Sequence, residues 1–78
     1  MFRNAQVVTP DDDNDLTRPT DSIYVGEEGN LAVLMGRYYD DQDVEPVIFL
    51  NVKGRLDITV RRVLQTGTTA QNIIALRR

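Results

Sequence analysis

Cysteine and histidine are both missing from this 78-residue chain, and so is tryptophan. Without cysteine there is no disulfide, no thiolate metal site and no clue to redox compartment. Without either residue, the usual activators of a nucleophile are gone, and acid–base chemistry would fall to Asp, Glu, Lys, Tyr, Ser or Thr. The paired carboxylates lie in polar stretches, where a solvated surface accounts for them. The chain therefore reads as a non-enzyme with no cofactor and no metal centre. Long apolar runs are lacking as well. None approaches the ~18 residues of a membrane span, and Met1-Phe2-Arg3-Asn4 does not open a signal peptide. No membrane partner is expected, and synthesis in the cytoplasm is the default.

What remains is one small domain. Area scaling for 8.9 kDa gives about 4,800 Å² folded against about 12,900 Å² unfolded. If about 60% of the difference is apolar, burial at ~25 cal/mol/Å² contributes ~120 kcal/mol. Ordering the chain at ~1.5 kcal/mol per residue costs about 117 kcal/mol. The difference is near zero, so further burial must come from partners. Charge points the same way. Residues 1–45 hold eleven acids and three bases, whereas 46–78 hold one acid and six bases, for a net charge of −3. Copies with an acidic half and a basic half can join head to tail.

Two units are expected: an extended N-terminal arm, 1–21, and a β-domain, 22–78. Pro10 and Pro19 keep the residues before them out of the helical region, and Leu16 is the only aliphatic residue from Thr9 to Asp21. From Ser22 onward the pattern predicts about five short strands, a small antiparallel sandwich or barrel. Ile23-Tyr24-Val25 and Leu31 to Met35 read as two strands joined by a hairpin at Gly26 and Gly29. Val47 to Val52 opens after Pro46, and Lys53-Gly54 is expected to turn into Arg55 to Leu64. A loop with Gly67 then leads to Asn72 to Leu76. Leu56, Ile58 and Val60 alternate with polar residues until Arg61-Arg62, where a β-bulge would return Val63 to the core. Val47 and Phe49 lie on one face of the third strand, Ile48 and Leu50 on the other. A neighbouring subunit is the simplest cover for that second face.

The candidate sites are surfaces. Asp11, Asp13 and Asp15 have the spacing of an EF-hand start, but Leu16 stands where that loop needs Gly and Ser22 where it needs Glu. Asp11, Asp12, Asp13 and Asp15 instead suit a basic surface, and Arg55, Arg61 and Arg62 supply one; docking of each arm on a neighbour's copy of it is expected. The same arginines, with Arg77 and Arg78, would also fit a nucleic-acid groove. The aromatics lie in other segments, however, so nucleic acid is not the expected partner. Tyr38-Tyr39 reads equally as a contact patch or as a cap on the core. Gly26, Gly29, Gly54 and Gly67 are expected at structural turns.

The run from Val60-Arg61-Arg62-Val63-Leu64-Gln65-Thr66-Gly67-Thr68-Thr69-Ala70 to Ile73-Ile74-Ala75-Leu76 resembles the head spike base proteins of tailed phages and gene transfer agents. So do Val8-Thr9-Pro10, Asp15-Leu16, Ile23-Tyr24-Val25-Gly26, Gly29 to Val33, Phe49, Asn51-Val52 and Gly54. The resemblance covers nearly the whole chain. It implies a virion protein on the capsid surface, a ring of copies that anchors a spike or fibre, with the major capsid protein and the spike or fibre protein as partners. A capsid decoration or cement protein is the alternative, and a small nucleic-acid-binding barrel the third reading.

Overall fold

The computed structural model describes residues 2–36 and 45–78; Tyr38-Tyr39 and most of the acidic loop around them lie outside these. The protein is all-β, as its alternation predicts. Five antiparallel strands make one sheet: β1 (Asn4–Val7), β2 (Ser22–Met35), β3 (Val47–Leu56), β4 (Val60–Val63) and β5 (Gln71–Arg77). Their order is β1-β5-β2-β3, with β4 also on β2.

The spine is β2. One of its edges pairs with β3, from Ile23↔Leu56 to Val33↔Val47. The other edge is shared. It takes β5 from Ser22↔Leu76 to Glu27↔Gln71, and β4 from Val33↔Val63 to Met35↔Val60. Between them the β4–β5 loop satisfies the backbone. Thr69 and Ala70 amides donate to the Asn30 carbonyl at 2.9 and 3.0 Å, and Leu64 N donates to Ala32 O at 2.8 Å. Hydroxyls of Thr68 and Thr69 accept from the amides of Ala32 and Asn30 at 3.0 and 2.8 Å.

This architecture corrects two turns. Gly26-Glu27-Glu28-Gly29-Asn30 does not form a hairpin; it continues inside β2. Lys53-Gly54 does not turn the chain either and stays inside β3. Gly54 (φ +93°) and Asn51 (φ 56°) lie where the β2–β3 register shifts, so left-handed residues here make bulges that bend the sheet. Turn chemistry and bulge chemistry use the same residues, and only the pairing partner separates them. The bulge in β4 is found where the broken alternation puts it. Leu34 faces Arg62 and Met35 faces Val60, leaving Arg61 as the extra residue, and Val60 and Val63 are both buried.

Ile23, Val25, Leu31 and Val33 of β2 meet Val52, Val60, Val63, Ile73 and Ala75 in the core, with Leu16, Phe49, Leu56 and Ile58 packed against them. The Cα extents are 30 × 28 × 17 Å. That thickness fits two layers about 10 Å apart.

The tip of the β4–β5 connection is Gly67, with φ +94°, and an added Cβ would stand 3.2 Å from the Ala32 Cβ. Gly67→Val should therefore cost about 1–2 kcal/mol or more, from the left-handed backbone and the contact together. Urea unfolding measures it, and an unchanged midpoint would show that the turn relaxes freely.

Candidate assembly surface

Residues 2–21 are tied into their own subunit along their length. β1 pairs with β5 from Asn4↔Arg77 to Val7↔Ile74. Residues 10–20 then run as a strap along the outer edge of β4. Asp11 N donates to Val63 O (2.9 Å), Leu16 N to Arg61 O (2.8 Å) and Thr20 N to Val60 O (3.0 Å). Leu16 inserts toward the core, and Val8 is buried.

The strap's carboxylates have separate tasks. Asp11 closes a local turn, accepting from the amides of Asp13 (2.8 Å) and Asn14 (3.2 Å) and from the Asn14 side chain (3.0 Å). Asp12 holds the β4–β5 loop. It accepts from Gln65 N and Thr66 N, both at 2.9 Å, and from the Thr66 hydroxyl at 2.8 Å. Asp15 accepts from Arg62 Nε at 2.7 Å, and the same guanidinium donates to Asp12 O at 2.9 Å. Asp13 stays exposed. The expectation that the arm docks on a neighbour is thus corrected: Asp12 and Asp15 are bound within their own chain. The β4 outer edge needed hydrogen-bond partners, and the strap leading into β2 is the nearest segment to supply them. Among the described residues, no three acidic groups are grouped closely enough to hold a metal ion.

Asp11 is held below the ordinary carboxylate value of 3.8 chiefly by the Asn14 side chain, and Asp12 chiefly by the Thr66 N–H. Depressed folded values mean that the ionised carboxylates stabilise the fold fully above 3.8, and that this is lost as pH falls through the lower folded values. The strap should loosen in that acid window. Asp12→Asn should lower the melting temperature at neutral pH and shrink the further drop seen in acid. An equal acid-induced drop in both proteins would show that Asp12 does not titrate this contact.

Arg77, buried at the end of β5, fastens β1 and the C-terminal end of the strap. Its guanidinium donates to Arg18 O (2.8 Å), Pro19 O (3.3 Å), Gln6 Oε1 (3.0 Å) and Asn4 Oδ1 (3.4 Å). Beside it, the buried Thr20 hydroxyl donates to Ile58 O and accepts from Val60 N, each at 3.0 Å. The buried Ser22 hydroxyl lies 2.8 Å from both Leu56 O and Asp57 Oδ1. Arg61 is buried in the β4 bulge, and its Nε has no hydrogen-bond partner among the described residues. The three arginines expected to form one basic surface are therefore separated. Arg62 meets the strap, Arg61 is inside, and Arg55 lies on β3 in an exposed 3.2 Å pair with Asp57, a contact worth about 0–1 kcal/mol.

Among the described residues, the sheet face turned away from the core is left open. One row crosses four strands in register: Val7 opposite Ile74, Ile74 opposite Tyr24, Tyr24 opposite Arg55. Val7 is 74% exposed and Tyr24 43%. Phe2 lies under two guanidinium groups, Arg55 at 5.6 Å and Arg78 at 5.4 Å from its centroid. Farther along β3, Ile48 and Leu50 are exposed while Phe49 packs on the core. Sequence reading singled out Ile48 and Leu50, gave Arg77 only a place in a possible nucleic-acid groove, and missed Tyr24. Alternation places Tyr24 opposite Ile23 and Val25, yet nothing local shows that its face stays uncovered.

These features define a class: a small all-β domain whose polar groups are spent on its own closure and whose exposed apolar side chains offer contact surface. No family model matches the chain, and no curated protein does. Among solved structures it is similar to a chain of the "Capsid of native GTA particle computed with C5 symmetry" (GTA, gene transfer agent), with a TM-score of 0.81 and 27% identity. The similarity covers 99% of this chain and 84% of that one, so it includes the strap as well as the sheet.

Proposed function

We propose that this chain is a structural protein of a phage-like capsid, and within it the base that anchors a head spike or fibre through assembly with copies of itself. The observation that carries the reading is the near-complete similarity to a chain of a gene transfer agent capsid. The apolar face and the near-zero folding ledger support the self-assembly part, because both call for burial by other subunits. Enzymatic activity has no place in this reading: Asp11, Asp12 and Asp15 of the strap are engaged in structure, and no cofactor is required.

Electron cryo-microscopy of the assembled particle tests it. A few tens of copies per particle, confined to vertices and beneath a protruding density, is the expected result. Several hundred copies spread over the shell would make the chain a decoration protein instead. Absence from purified particles would refute both.

A further inference from the structure

A flat, uncharged edge strand offers its unpaired N–H and C=O groups to any other strand, and monomeric proteins guard such edges with Lys, Pro or bulges. In this sheet β1 and β3 are the two ends of the order, and among the described residues neither has a strand on its outer side. β1 is Asn4-Ala5-Gln6-Val7, with no charge and no proline. Val8 N donates to Ile73 O, and antiparallel alternation then turns the amides of Ala5 and Val7 outward. The first four residues of β3, Val47-Ile48-Phe49-Leu50, are equally unguarded, with Ile48 54% and Leu50 69% exposed. Guards begin directly after them: the left-handed Asn51, then Lys53, the left-handed Gly54 and Arg55. Each edge thus has one open stretch of four residues, at opposite ends of one sheet.

We propose that these stretches pair with each other between neighbouring copies, β1 of one subunit lying along Val47-Ile48-Phe49-Leu50 of the next. The inference rests on the self-assembly reading above and supplies its contact. A second copy is the fitting occupant for three reasons. The stretches match in length. Both are neutral, so neither selects a charged partner strand. They also differ from each other and sit at opposite ends, so each copy satisfies both contacts in a heterologous interface that can close into a ring. Copies placed around a five-fold axis, the C5 symmetry named for the capsid containing the similar chain, can touch only through contacts of this heterologous kind. Pairing would set Val7 beside Ile48 or Leu50, turning three exposed apolar side chains into cross-strand contacts.

The chain has no cysteine, so single substitutions report contacts cleanly. Ala5→Cys or Val7→Cys, mixed with Ile48→Cys or Leu50→Cys and oxidised, should give disulfide-linked dimers in at least one combination. Each variant oxidised alone should stay uncrosslinked. Crosslinking of single variants with themselves would overturn the proposal in favour of a two-fold contact. An oligomer by light scattering with no mixed crosslink would overturn the pairing while leaving self-assembly standing; a monomer would overturn both. Leu50→Lys should lower the assembled fraction about tenfold at fixed concentration, and leave the melting of the dissociated subunit unchanged. An unaltered assembled fraction would also overturn the pairing.

Discussion

Gly29→Ala should destabilise the protein by at least about 3 kcal/mol, enough to unfold much of a domain this small. Gly29 has no left-handed φ; its requirement is space. An added Cβ would stand 2.4 Å from Ala70 N, and 2.6 Å from both Ala70 Cα and Thr69 C. All three are backbone atoms, so no side chain can swing away to make room. The loop that must move is the one that satisfies Asn30 and Ala32 in the gap between β4 and β5. Displacing it leaves interior β2 groups unpaired as well as overpacking the site. Chemical denaturation with far-ultraviolet circular dichroism checks this. The neighbouring Gly26 provides the control. Its added Cβ would meet chiefly the Asn72 Cβ, at 2.9 Å, with the nearest backbone atom at 3.3 Å, so Gly26→Ala should cost less. Equal losses at both positions would mean that close backbone approach is not the cause.

Arg77→Ala should cost about 3 kcal/mol and release the strap. The guanidinium spans two segments that are distant in sequence, β1 through Asn4 and Gln6 and the strap through Arg18 and Pro19. Truncation removes these bonds together and leaves partly buried carbonyls without a donor. Arg77→Lys should recover little, because an ammonium cannot reach four acceptors in a planar fan. Limited proteolysis distinguishes local from global damage. Cleavage within residues 9–19 should accelerate in Arg77→Ala before strand circular dichroism is lost. If cleavage there stays as slow as in the parent protein, Arg77 does not hold the strap.

Strand alternation made the all-β fold legible, and the interrupted alternation at Arg61-Arg62 located a bulge, because a sheet with one buried face tolerates no slip of register. The same signals misled at Gly26, Gly29 and Gly54. Glycine between two β-rich runs is the mark of a hairpin, but it equally marks a bulge or a place where another chain segment comes close. Gly29 belongs to the last case, and the segment concerned lies some forty residues away, at Ala70. No local pattern reports a contact at that separation.

The acidic arm shows the same division. Composition established that residues 9–21 are polar and extended, and that their carboxylates need donors. It also established the lack of cysteine and histidine, the surplus of base in the second half, and the two apolar faces of Val47 to Leu50. Where the carboxylates went was decided by the tertiary structure. Once β4 had paired with the end of β2, its outer edge and the Gln65-Thr66 amides became the nearest unsatisfied donors and acceptors, and the strap closed on its own subunit. Hydrophobic and polar pattern determines which groups must be satisfied; only the folded arrangement determines which partner is within hydrogen-bonding distance.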